Sequence, residues 1–149
     1  MKFVKLIALS SLSLFCPLLY ADKKFEAAII LSKVVEISSE ELQKDLAEGQ
    51  TILLINVLQK HIYKDCSIWS SVNIPIEKLL TNKLLKQSPK HRKIIIYSAT
   101  RECPVSTYAF RILKKHGFTN VYVYQGGMRD WYQKQLPCKG KCKAGYLKG

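Results

Sequence analysis

The chain is 149 residues long and 48% apolar, which suits one domain with its own core and excludes a disordered or fibrous chain. Lysine and arginine number 24 against 11 acidic residues, a formal net charge of +13. The excess lysines are scattered, clustering only in the tail, and do not alternate with stacking aromatics. That pattern excludes a recognisable nucleic-acid-binding module and leaves a general attraction to anions.

Residues 1–21 read as a secretory signal peptide. Lys2 and Lys5 precede an apolar stretch over residues 6–19 broken only by serines, Cys16 and Pro17. Ala21 then offers a small residue before Asp22-Lys23-Lys24. The stretch is too short and wrongly flanked for a transmembrane helix. One rival is a lipid on Cys16, against which bulky Phe15 stands; another is retention as an uncleaved anchor. Export to the periplasm or the exterior is therefore expected, with no integral membrane segment after cleavage.

Residues 22–33 are a lead-in with an apolar patch at 27–31, and residues 34–37 read as a first strand. Ser38 and Glu41 have capping-box spacing before a helix over about 40–48, which Gly49 ends. Residues 51–57 form a second strand, apolar enough to be covered on both faces. A polar loop with Cys66 and Trp69 spans 61–70, a short strand 71–74, and Pro75 opens a helical turn carrying Leu79 and Leu80. A basic connector, 86–93, leads into Ile94-Ile95-Ile96-Tyr97, a buried strand. Residues 121–124 are the last strand, and Gly126-Gly127 begin a short helix containing Trp131. Trp131 and Tyr97 are expected in the core. His61, His91 and His116 are expected at the surface.

Between Tyr97 and the next helix lies an eight-residue loop, 98–105. The helix that follows carries Val105, Tyr108, Ala109, Ile112 and Leu113 as one apolar stripe. Pro104 is suited to a first helical position, which puts Cys103 at or next to the N-cap. A thiol facing the unpaired amides and positive end of a helix is biased toward thiolate, the form that performs sulfur chemistry. A buried or disulfide-bonded cysteine is the plain alternative.

Export gives the cysteines a second meaning. After cleavage the chain keeps Cys66, Cys103, Cys138 and Cys142, and an oxidising compartment favours disulfides. Four cysteines allow three full pairings, and the spacing does not choose among them. Zinc through Cys138-x3-Cys142 lacks a second ligand pair, so neither a metal nor a cofactor is expected. The tail, 138–149, is lysine- and glycine-rich and expected to be mobile unless a disulfide pins it.

Strands alternating with helices at this spacing predict an α/β fold, a central parallel sheet of about five strands with helices on both faces. Ligands bind such sheets beyond the carboxyl ends of the strands, where the 98–105 loop sits.

Three segments resemble the rhodanese-like domain, and the likeness covers residues 34–137. Ile37-Ser38-Ser39-Glu40-Glu41-Leu42 resembles the family's entry into its first helix. CSIWSSVNIP, 66–75, resembles the segment that ends Asn-Ile-Pro. GFTNVYVYQGGMRDWYQKQLP, 117–137, carries the most specific match, from the Gly-Phe turn through Gly126-Gly127 to Trp131. The domain layout implied is a signal peptide at 1–21, a lead-in at 22–33, one rhodanese-like domain at 34–137 and a basic, cysteine-containing tail at 138–149.

The resemblance implies a nucleophilic cysteine directly after the central strand, its persulfide cradled by loop amides. Ser98 occupies that position, and serine cannot carry a persulfide. The loop is longer than the common form and resembles variants with a second cysteine before Pro-x-Ser, here Cys103-Pro104-Val105-Ser106. Asn56 and Leu58 stand where the family often has Asp and Arg. The phosphatase relatives need Cys, five intervening residues, then Arg; that spacing runs from Ser98 to Pro104 and from Cys103 to Ala109, so phosphatase chemistry is not expected.

Three functions follow. One is a thiosulfate or persulfide sulfurtransferase, or sulfur carrier, using Cys103, with Ala99, Thr100, Arg101, Glu102 and Ser106 as the substrate-binding loop. A second is a non-catalytic module binding a small anion or partner. A third is a thiol–disulfide protein acting through Cys103-Pro104-Val105-Ser106. The expected partner is a small sulfur-containing anion or a thiol protein.

Overall fold

The computed structural model describes residues 32–49 and 51–149. Residues 1–21, read from the sequence as a signal peptide, and most of the lead-in lie outside the described residues. Helix α1 (Ser39–Ala47) starts at the expected capping box: Glu41 N–H donates to Ser38 Oγ at 3.1 Å, and Ser38 N–H donates to Glu41 Oε2 at 2.9 Å. Strand β1 (Leu53–Asn56) is buried at every position, as its unbroken apolar run requires.

Two segments differ from the sequence reading. Residues 61–70 are no loop: they hold most of helix α2 (Lys60–Asp65) and all of strand β2 (Cys66–Ile68). α2 has no side-chain cap and no buried residue, and β2 pairs with a strand in the distant tail, so neither leaves a local signal. The basic connector, 86–93, also begins as a helix, α3 (Lys83–Gln87), capped by Asn82 Oδ1, which accepts from Leu84 N–H at 3.0 Å. Between them lie β3 (Val72–Asn73) and a 3-10 turn at Ile76–Lys78.

Strand β4 (Ile94–Tyr97), helix α4 (Val105–Lys115), strand β5 (Val121–Tyr124) and helix α5 (Gly127–Gln133) follow as read from the sequence. The main sheet has four parallel strands in the order β3-β1-β4-β5. Residues 34–37, read as a further strand, add one parallel bridge, Glu36 to Val123, at the β5 edge. Register places Leu53, Ile94 and Val121 in one row and Ile55, Ile96 and Val123 in another.

Alternation along these strands sends side chains into two cores. Leu53, Ile55, Ile94 and Ile96 pack under α4, with Ala109, Phe110 and Leu113. Leu54, Ile95, Tyr97 and Tyr124 pack on the other face with Leu42 of α1 and Met128 and Trp131 of α5. Helices therefore cover both faces, as expected. The inward face of α4 is turned from the predicted stripe: Ser106, Ala109, Phe110 and Leu113 are buried, while Tyr108 is 53% exposed.

The tail is pinned. Strand β6 (Cys138–Gly140) pairs antiparallel with β2, and a disulfide joins Cys66 to Cys142. The Asp65 carbonyl accepts Cys142 N–H at 2.8 Å, and its carboxylate accepts Ala144 N–H at 2.9 Å and Lys143 N–H at 3.1 Å. Leu147 is fully buried at the end of this segment, in the core shared by Trp131.

Trp131 is 1% exposed, stacks edge-on against Tyr124, and donates Nε1–H to the Pro137 carbonyl at 3.0 Å. Trp131→Ala should cost about 3–5 kcal/mol, by loss of burial and the cavity left behind. Urea unfolding followed by circular dichroism would check it.

Candidate functional site

The loop after β4 leaves the carboxyl edge of the sheet and folds back on itself before α4. Its first carbonyls are held by the start of α5. Met128 N–H donates to the Ser98 carbonyl and Arg129 N–H to the Ala99 carbonyl, each at 2.9 Å. Gly127 makes this approach possible: φ is +65°, and a Cβ there would lie 2.9 Å from the Ser98 oxygen and the Ala99 carbonyl carbon. The Gly126-Gly127 pair thus serves backbone contact as well as a turn.

Ser98 is 1% exposed. Its hydroxyl lies 3.2 Å from Ser106 Oγ and donates weakly to the Cys103 carbonyl at 3.5 Å. Ser106, on the first turn of α4, is equally buried. The inward turn of this serine explains why the apolar stripe of α4 is displaced. Neither contact is a base, and a serine hydroxyl without one is a poor nucleophile at neutral pH.

Cys103 is half-buried and its thiol is free. Pro104, with φ −76° and ψ −8°, already has helical geometry, and its carbonyl accepts Tyr108 N–H at 3.0 Å. Pro104 is thus the N-cap and not the first helical residue, and Cys103 stands next to it, one of the two places the sequence allows. Its own N–H closes a turn onto the Thr100 carbonyl at 3.1 Å. Among the described residues, the N–H groups of Ala99, Thr100 and Arg101 have no protein acceptor.

The remaining loop side chains face outward. Arg101 is 67% exposed, 3.9 Å from Glu36. It leans over a cavity of about 280 Å³ whose wall also carries Glu40, Asp130 and Lys134. Gln125, also on that wall, donates from Nε2 to the Arg101 carbonyl at 3.3 Å. Glu102 is held below the usual carboxylate range by its own backbone N–H, then by the Thr100 hydroxyl, and pairs with Arg129 at 3.7 Å.

The structure brings together Ser98, Ser106 and the Cys103 backbone, with Ala99 and Thr100 between them. Arg101 and Glu102 point away from that focus. Arg129, Gln125 and Met128 support the loop and carry no sequence signal of that role, since each acts on a backbone group far away in the chain. The nearest hint was Gly126-Gly127, whose lack of side chains permits the contact.

Comparison with known proteins decides the family. The model for the rhodanese-like domain matches residues 38–134. The chain belongs to the rhodanese-like domain family. A rhodanese domain-containing protein of Drosophila melanogaster is 27% identical over 110 residues, covering 66% of this chain and 98% of that protein. An adenylyltransferase and sulfurtransferase of Oryza sativa subsp. japonica is 27% identical over 118 residues, covering 72% of this chain and 26% of that protein. The structure of a Bacillus halodurans protein superposes with a TM-score of 0.67 at 24% identity, covering 85% of this chain and 90% of the other, a likeness of fold. This rhodanese-like domain thus has distant relatives among sulfurtransferases.

The glycine contact offers a direct check. Gly127→Ala puts a Cβ against the Ser98 and Ala99 backbone at positive φ and should destabilise the protein by about 1–3 kcal/mol. A fall in thermal midpoint, together with faster amide exchange at Met128 and Arg129, would report it. An unchanged midpoint would count against the contact.

Proposed function

We propose that the protein is an exported sulfur carrier or weak sulfurtransferase whose working thiol is Cys103. One observation carries the reading: Cys103 is a free, half-exposed thiol on the loop after the central strand, whereas Ser98 is buried against a hydroxyl and a carbonyl. The sulfurtransferase relative supports the chemistry. Export is supported by the basic, apolar, then small-residue pattern of residues 1–21 and by the Cys66–Cys142 bond, which suits an oxidising compartment.

In this reading the Cys103 thiolate attacks the outer sulfur of thiosulfate. A Cys103 S–S bond forms, the bond to the sulfonate sulfur breaks, and sulfite leaves with the electron pair. The resulting persulfide passes its terminal sulfur to an acceptor thiolate, and Cys103 is regenerated. The unpaired N–H groups of Ala99, Thr100 and Arg101 are suited to an anionic sulfur, and the Arg101 guanidinium adds attraction for the incoming dianion. Its pairing with Glu36 is exposed and weak enough to exchange for a substrate.

The hydroxyl pair at Ser98 and Ser106 favours a second reading, a binding module without turnover. The two part on a single measurement. After incubation with thiosulfate, intact-mass analysis should show one added sulfur, mapped to Cys103 and removable by cyanide. Cys103→Ser should abolish that adduct and any thiosulfate-to-cyanide activity, and Ser98→Ala should leave both. Ser98→Cys should raise the activity, since it restores a thiol at the position where the family resemblance places the nucleophile. A folded Ser98→Cys protein no more active than wild type, with no adduct on Cys103 in either, would leave the binding module as the reading to keep.

A further inference from the structure

The structure holds a second sulfur centre on the side of the molecule where the tail docks. The Sγ atoms of Cys66, Cys138 and Cys142 all lie within 4.8 Å of one another. Two of them are bonded to each other, and the third, Cys138, is a free thiol. In β2 and β6 the register pairs Ile68 with Cys138 and Cys66 with Gly140, so Cys138 sits diagonally from Cys66 across the two strands. Three sulfurs at this spacing suit a soft metal ion, but the disulfide already occupies two of them. A thiol beside a disulfide has other chemistry available.

We propose that Cys138 exchanges with the Cys66–Cys142 disulfide, so that the tail has two alternative covalent attachments to Cys66, one through Cys142 and one through Cys138. The Cys138 thiol loses its proton to solvent, and the thiolate attacks the Cys66 sulfur. A Cys66–Cys138 bond forms, the Cys66–Cys142 bond breaks, and Cys142 leaves with the electron pair and takes a proton from solvent. No oxidant or reductant is consumed. The direction follows from burial. Cys66 is 1% exposed, and a thiolate released there would be desolvated, whereas half-buried Cys142 can leave into water.

Several features keep the resting state as the structure shows it. Cys138 is partly buried, which raises its thiol above the ordinary range, and Sγ–H donates to the Leu136 carbonyl at 3.1 Å. The resting thiol is therefore protonated and engaged, and exchange is slow. The Asp65 carbonyl and carboxylate hold the backbone of Cys142, Lys143 and Ala144 and keep Cys142 close to Cys66. Exchange would move the covalent anchor upstream along the tail and leave residues beyond Cys138 held by hydrogen bonds and packing alone.

This second centre is independent of whether Cys103 carries sulfur. The test uses the full chain with its disulfide intact, in a Cys103→Ser background that leaves Cys138 as the single starting thiol among the described residues. After incubation at mildly alkaline pH, the protein is acid-quenched, blocked with a maleimide, cut by an acid protease and mapped by mass spectrometry. The expected result is a Cys66–Cys138 linked peptide with maleimide on Cys142, in a yield unaffected by protein concentration. Cys138→Ser should remove the label from Cys142. Three results would overturn the proposal: label confined to Cys138, yield that rises with concentration, or a Cys138–Cys142 link that frees Cys66.

Discussion

The interaction on which the site depends is a backbone contact made from one end of the sheet's last crossover. The first N–H groups of α5 donate to the carbonyls of Ser98 and Ala99, and Gly127 has no Cβ to prevent it. Helix N-terminal amides need acceptors, and loop carbonyls need donors. Here each supplies the other across residues far apart in sequence. The loop is thereby fixed at its start, and its later amides are left without acceptors. Unpaired donors on a loop fixed at its start are the arrangement that the proposed anion site calls for.

Arg129 extends this constraint in two directions. Its backbone holds Ala99, its guanidinium lies 3.7 Å from Glu102, and its Nε–H donates to the Tyr146 carbonyl at 2.6 Å. One residue thus touches the start of the site loop, its outer turn and the docked tail. The tail in turn packs Leu147 into the core that holds Trp131 and Met128. Tyr146 lies in the same region, and burial, then the charge of Asp65, push its phenol up to about 12. The tail is therefore part of the folded unit that supports the loop.

The elements legible in the sequence were those whose signals are local. The Ser38–Glu41 capping box, the apolar runs of β1, β4 and β5, and the glycine pair before α5 each state their conformation within a few residues. The position of Cys103 before α4 was readable because proline restricts where a helix can begin. β2 was not, since CSI becomes a strand only when β6 arrives beside it. The inward turn of Ser106 was hidden for a similar reason: the sequence offers it to a ligand in the loop, and its actual partner, the buried Ser98 hydroxyl, lies eight residues back, directly after β4. Arg101 was legible as a charge on the loop, but the acidic neighbours that draw it outward come from other parts of the chain.

The pairing of β2 with β6 has a consequence for how the molecule is held together. Its disulfide joins residues separated by 76 positions, with β1's partner β4 and the β5 crossover lying between. Closing so long a loop carries an entropic cost, and the cross-link removes that freedom from the unfolded chain. The bond thereby ties the tail to the segment between β1 and β3, two parts of the chain that the main sheet does not pair. Of the two tail cysteines within reach of Cys66, the bonded one is Cys142, whose backbone the Asp65 carbonyl holds at 2.8 Å.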